Sequence, residues 1–257
     1  MKFILNLARR ELRSSWKRLL FFFLCIGVGV GSIVALRSMI QNLNRVVTGQ
    51  AREMMTADAQ VETTREWPAD VLAKIERAAP PPLVEARTET IEAPTMLRPA
   101  DPSREGALMV EVKGVEKNFP LYGDFRLEDG RPFDFSLIEQ GGAVVAPQLL
   151  ERLNLRIGDR VKIGDREFEI RGVTRQEPGS AGGFRLGPRV FVEHAALESA
   201  GLTGFGSRAR RKILFKVAEG GMDKLVQRLR TELGNNVFNI RSYKDSEENL
   251  GEQFTRA

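Results

Sequence analysis

One run of residues, Leu19–Leu36 (LLFFFLCIGVGVGSIVAL), carries no charge, whereas the rest of the chain alternates apolar and polar positions on short periods. As an α-helix the run would rise about 27 Å, close to the hydrocarbon thickness of a bilayer. A core helix of a soluble protein keeps a polar stripe, and this run has none, so a transmembrane helix over 19–36 is predicted. Lys2, Arg9, Arg10, Arg13, Lys17 and Arg18 precede it, opposed only by Glu11, while Arg37, Arg45 and Arg52 follow more sparsely. That bias puts the N-terminus in the cytoplasm and the bulk of the chain outside. A cleaved signal peptide would need a small-residue site close behind the run, and Ala57-Asp58-Ala59 comes too late, so a retained anchor is expected.

Two patterns say what such a helix touches. Gly27, Gly31 and Ala35 recur every fourth residue, a small-residue stripe that admits close helix–helix packing, although Gly and Ala are also common in membrane helices generally. In residues 1–18, Phe3, Ile4, Leu7 and Leu12 interleave with the basic positions, which reads as an amphipathic helix on the cytoplasmic leaflet. Arg9, Arg10, Arg13, Lys17 and Arg18 are then its membrane-interface anchor. Past Leu36, Ile40, Leu43, Val47 and Met54 keep helical spacing, so a helical stalk over 37–57 is predicted.

Beyond the stalk the periods shorten. Ala59–Thr63 reads as a strand, Pro68–Ala79 as a helix closed by Pro80-Pro81-Pro82, and Leu83–Ile91 and Ala107–Val115 as strands. The intervening APTMLRPADPSRE is expected to be a polar, Pro-bearing hairpin or loop. Gly141–Val173 predicts a strand, a short helix over Pro147–Leu153, and two strands around Gly164-Asp165. Arg189–Val192 and Lys212–Val217 follow as strands, Met222–Leu233 as an amphipathic helix capped by Gly234, and Val237–Ile240 as a last strand. Two βαβ-like pieces thus bracket a β-rich insertion, and the fold class is α+β.

Composition narrows the chemistry. The only cysteine, Cys25, lies inside the apolar run and the only histidine is His194, which excludes an internal disulfide, a conventional His/Cys zinc site and a Cys–His nucleophile pair. Neither a P-loop nor a G-x-S-x-G elbow is present, so no catalytic, metal or cofactor-binding residue is assigned. The carboxylates (Glu11, Asp58, Glu62, Asp124, Asp129 and Asp134 among them) form no hydrolase signature in linear sequence. The formal charge of +5 is concentrated in the membrane flank and in Arg208, Arg210, Arg211 and Lys212. That second cluster lacks interleaved aromatics, so a solvated strand entry is expected and nucleic acid is not. His194 is expected at a strand–helix junction, Trp16 at the membrane interface, and Trp67 in packing.

Four stretches together resemble the MacB/FtsX-like family of bacterial ABC-transporter permeases and, within it, the YbbP-like predicted permeases. They are ARRELRSSWKRLL, REMMTADAQVETTREWP, GAVVAPQLLERLNLRIGDRVKIGDREFEIRGV and SYKDSEENLGEQF. The resemblance implies a porter-like α/β subdomain over 58–117 and 208–245, with a β-rich sabre-like insertion over 118–207. Residues 246–257 would open a helix leading to a second transmembrane segment. It also implies a bacterial inner-membrane permease subunit, itself no enzyme and without cofactor, working with a separate ABC ATPase for export or mechanotransmission. Membrane lipid and a homodimer or second permease would be its other partners. Family permeases carry further transmembrane helices and a cytoplasmic coupling helix after this region, so a fragment of a longer permease is expected, with a truncated product that cannot transport alone as the alternative. The alternatives are a single-pass anchored binding or scaffold module without transport, and, with only exposed carboxylates behind it, a tethered hydrolase.

Overall fold

The computed structural model describes residues 16–179, 187–204, 206–234 and 238–245. Contacts divide the chain into two units, Met1–Thr48 and Gly49–Ala257. The first contains most of helix α1 (Trp16–Met55), whose last turns belong to the second. Within α1, Leu20–Met39 has a mean hydropathy of 2.2 and is long and apolar enough to cross a bilayer. Every side chain there is exposed, Phe21, Phe22, Phe23 and Ile33 included, an apolar surface that lipid or another helix must cover. Ser32 returns its hydroxyl to Val28 O at 2.8 Å, so it leaves no unpaired donor in that surface. Helix and stalk are continuous, as the spacing of Ile40, Leu43, Val47 and Met54 predicts.

The second unit is built from strands β1 (Ala59–Thr63), β2 (Val84–Pro99), β3 (Leu108–Val115), β4 (Arg126–Leu127), β5 (Gly142–Val145), β6 (Arg160–Ile163), β7 (Arg166–Gln176), β8 (Arg189–Glu193), β9 (Arg210–Val217) and β10 (Asn239–Ser242). Its helices are α2 (Ala69–Ala78), α3 (Pro147–Leu153), α4 (His194–Glu198) and α5 (Met222–Leu233). Strands β10-β1-β9-β2 form an antiparallel layer in that order. With α2 between its first two strands and α5 between its last two, this is a ferredoxin-like βαββαβ arrangement interrupted by an insertion. Val71, Ile75 and Ala78 of α2, and Met222, Leu225 and Leu229 of α5, recur every third or fourth residue. They bury one stripe of each helix against Val61, Ile213 and Phe215, at roughly 1.5–3 kcal/mol for each large side chain.

Strand β2 continues past that layer. It pairs with β9 up to Glu92 and with β6 from Leu97, while β3 runs along its other edge. From β3 the ladder passes to β8, β5, β7 and β6 and returns to β2, closing a six-stranded barrel. Its interior is filled by Leu97, Val110, Val112, Ala143, Phe168, Ile170 and Val190. The alternate residues of the same strands, Val144, Phe191 and Val115, point the other way and join Leu214 of β9, Phe119 and Phe125 in a separate cluster.

Of the hairpin or loop expected over Ala93–Glu105, the structure takes the hairpin: the segment is strand as far as Pro99 and pairs antiparallel with β3. Proline is unusual inside a strand, and the pairing shows why Pro94 fits. Glu111 N–H is spent on Pro188 O, so the Glu111–Pro94 pair is not hydrogen-bonded between β2 and β3. The Pro94 nitrogen consequently faces the edge between the last β9 partner and the first β6 partner, where no ladder bond is lost.

The Gly164-Asp165 turn joins β6 to β7 as expected, with φ +57 at Gly164. A Cβ at that position would lie 2.1 Å from Ala200 O. Gly164→Ala is expected to destabilise by more than about 2 kcal/mol, combining left-handed strain with a backbone clash. Gly130→Ala, at φ +84 with nothing within 4 Å, is expected to cost only about 1 kcal/mol. Denaturant midpoints of the two variants compare them directly.

Candidate functional site at the last turn of the long helix

Helix α1 ends on Thr56, which takes φ +57 while its N–H returns to Glu53 O at 3.2 Å. A β-branched residue in the left-handed region is strained, and it persists only where the surroundings hold it. Here the holding is visible. Ala51, Thr56 and Ala57 are buried, and Glu53 O accepts from Gly179 N at 3.1 Å. Two residues on, Asp58 is only 1% exposed and gathers most of the polar contacts.

Arg52, one turn back from the helix end, places Nε 2.9 Å from Asp58 Oδ1. Asp58 Oδ2 accepts from the Tyr122 hydroxyl at 2.7 Å and from Val217 N–H at 2.9 Å. The Asp58 backbone is engaged too, with N–H to Phe215 O and C=O accepting from Tyr243 N, both at 2.9 Å. The Arg52 guanidinium carbon lies 4.5 Å from the Tyr243 ring centre and 5.6 Å from that of Tyr122, so the cation is flanked by two aromatic rings. Partial burial works against this charge, but Asp58 and the tyrosines outweigh it and raise the Arg52 pKa. Burial and the bond to Asp58 together push the Tyr122 hydroxyl far above its usual range. Tyr122 therefore stays a donor at any physiological pH. The arrangement grips a helix end; its partners come from β9, the start of β10's exit and the 116–125 loop. A cation in the last turn also suits the negative end of the helix dipole.

A second polar cluster crosses β9, β2, β3 and β8. Glu92 meets Lys212 at 2.7 Å, Lys113 at 3.1 Å and Arg210 at 3.4 Å, while Glu111 meets Arg210 at 3.1 Å and Arg189 at 3.7 Å. The Glu92 and Lys113 side chains are 5% and 6% exposed. Burial alone would raise the Glu92 pKa, yet attraction to Lys113 and Lys212 holds the carboxyl far below the ordinary range. For Lys113 burial dominates and lowers the pKa, with Glu92 restoring only part of it.

The β9 part of the basic cluster is thus not the solvated strand entry expected from sequence, whereas Arg208, just before β9, is exposed. Arg210 and Lys212 are bound into this network, and Arg211, 8% exposed, meets Glu198 at 2.5 Å. The reason is position: β9 is an interior strand, flanked by β1 and β2, so its cations face carboxylates on neighbouring elements.

The other sequence-assigned residues fall in separate places. Gly27, Gly31 and Ala35 share one face of α1, and a Cβ on either glycine would meet nothing within 4 Å. Lys17 is exposed in the first turn of α1; Arg9, Arg10 and Arg13 lie outside the described residues, as does the Arg18 side chain. His194 opens α4, and Trp67 stacks on Phe238 with ring centres 5.8 Å apart. Among the described residues no group of three or more His, Cys, Asp or Glu side chains is placed to hold a metal ion. Sequence reasoning had counted Asp58 among ordinary carboxylates and missed Tyr122, Tyr243, Glu92 and Lys113. No sequence signal marked them: Glu111 and Lys113 alternate with Val110 and Val112 as in a strand with one wet face, and only the structure shows both faces buried.

The chain is 31% identical over 216 residues to the uncharacterized ABC transporter permease YbbP of Escherichia coli (strain K12), across 83% of this chain and 25% of that protein. It therefore spans about a quarter of the length of that curated relative. Its fold is similar to the crystal structure of the periplasmic region of MacB from Actinobacillus actinomycetemcomitans, with a TM-score of 0.51 at 13% identity over 77% of this chain and 95% of that one. The family model for the MacB-like periplasmic core domain matches residues 19–232. On that match and that identity, the chain belongs to the MacB-like periplasmic core domain family of ABC-transporter permeases.

Proposed function

We propose that this chain is the N-terminal part of a bacterial ABC-transporter permease in which α1 carries movement between a cytoplasmic ATPase and the folded unit that follows. The basic flank would sit in the cytoplasm and residues 58–245 outside the inner membrane. The βαββαβ layer would be the porter-like part and the barrel the sabre-like part. The observation that carries the reading is the grip on the last turn of α1. A spacer needs no such attachment, whereas a lever does, because a movement reaches the domain only if the helix end cannot slip. The Arg52–Asp58–Tyr122–Tyr243 clamp, on a strained Thr56, meets that need.

The test uses the protein that carries this chain, tagged at its own locus. An ABC-type ATPase is expected to copurify from solubilised membranes, and Asp58→Asn is expected to leave that association intact while cutting ATP-dependent transport about tenfold, the equivalent of about 1.4 kcal/mol of lost coupling. Copurification of no nucleotide-hydrolysing subunit would overturn the reading. Topology is checked separately: protease added to intact spheroplasts is expected to digest residues 58–245 and spare the N-terminus, and the reverse pattern would invert the assignment.

A further inference from the structure

The helix end is fastened to the βαββαβ layer directly, through Asp58 to β9 and through Tyr243 beyond β10. A second attachment runs through the 116–125 loop, which is pinned at both faces. Glu116 accepts from Glu89 N at 2.6 Å, holding the loop's start to β2. Phe119, 4% exposed, lies under the Lys113 ammonium at 4.7 Å and 6.4 Å from the Phe191 ring of β8. Tyr122 then reaches Asp58 and flanks Arg52, and a Cβ on Gly123 would come within 3.8 Å of Glu53 on α1. Phe125 returns to Phe191 at 4.6 Å. Lys113 of the ion network thus touches Phe119, and Tyr122, three residues further along the same loop, touches Arg52 and Asp58 at the helix end.

We infer that the 116–125 loop is a strap that couples the last turn of α1 to the buried ion network between the layer and the barrel, with Phe119 and Tyr122 as its positioning residues. This rests on the lever reading above and deepens it, because it gives a movement of the helix end a route to the barrel as well as to the layer. The groups facing Lys113 are Glu92 on β2, Arg189 on β8, Lys212 on β9 and the Phe119 ring. Removing the ammonium should therefore loosen Phe119 while leaving Glu92 paired to Lys212 and Arg210.

The experiment is native amide exchange on the 257-residue chain in lipid nanodiscs. Lys113→Met is expected to speed exchange about fivefold both in residues 117–124 and at the distant amides of Met54, Met55 and Thr56, with α2 and α5 unchanged. In a Tyr122→Phe background the same substitution should leave the helix-end amides unmoved, since the strap no longer reaches Asp58. Phe119→Leu, which alters no charge, should reproduce the Lys113→Met pattern. The inference is overturned if Lys113→Met changes exchange only around β2 and β3, or if its effect on the helix end is the same with and without the Tyr122 hydroxyl. Neither readout involves an ATPase or transport, so this result and the test of the lever reading fail independently.

Discussion

Glu92→Gln is expected to cost the folded chain about 3–5 kcal/mol, the largest effect of any single conservative change in the layer. The amide keeps the shape of the carboxylate but not its charge. It would leave Lys113 buried beside Arg189 and Lys212 with no counter-charge in contact. An intact buried ion pair contributes little net stability, because desolvation offsets attraction; a broken one leaves a charge that neither water nor protein neutralises. The double variant Glu92→Leu with Lys113→Met should for that reason recover at least half of the loss. Urea unfolding of the three chains decides it, and a cost below about 1 kcal/mol for Glu92→Gln would mean that the network is wet. Acid should act in the same direction. The Glu92 pKa is lowered in the folded state, so its stabilisation is present above the unfolded value of 4.5 and is lost as pH falls through the folded one. Glu92→Gln should flatten this acid limb.

Asp58→Ala is expected to cost about 3–4 kcal/mol and to free the helix end. Its carboxylate serves three partners, and two of them, Val217 N–H and the Tyr122 hydroxyl, lose their acceptor inside the protein. Arg52 is 37% exposed, so it turns to water and its share of the ion pair is discounted. Asp58→Asn keeps one acceptor oxygen and should lose about half as much, and Tyr122→Phe, which gives up one hydrogen bond, about 1 kcal/mol. Amide exchange at Met54–Ala57 should rise in the order Tyr122→Phe, Asp58→Asn, Asp58→Ala. If Asp58→Ala unfolds at the wild-type midpoint with these amides still protected, the clamp is not what holds the helix.

Much of the scaffold was legible because its signals are local. The Met222–Leu233 helix and the Pro147–Leu153 turn stand where periodicity places them, since a 3.6-residue stripe and a proline at the first turn act within a few residues. Ala59–Thr63 likewise pairs along its whole predicted length. For the same reason the sequence left Ala93–Pro99 open between hairpin and loop. Proline is a poor strand former judged by its neighbours, and only the pairing shows that the Pro94 nitrogen faces a gap in the ladder. The basic run of β9 failed similarly: Arg210, Arg211 and Lys212 resemble a solvated patch until β2, β3 and α4 supply Glu92, Glu111 and Glu198.

By itself the sequence determined that this chain has one long apolar helix continuing into a stalk, and that an α+β fold follows. Unbroken hydrophobicity and short-range periodicity are properties of contiguous residues and survive in any tertiary setting. Only the tertiary structure decided that β2 serves both a layer and a barrel, and that Arg52, Asp58, Tyr122 and Tyr243 meet at one point. Such meetings depend on strand order and register, which place side chains far apart in sequence within a few ångströms of one another, and a one-residue slip would send each to the opposite face.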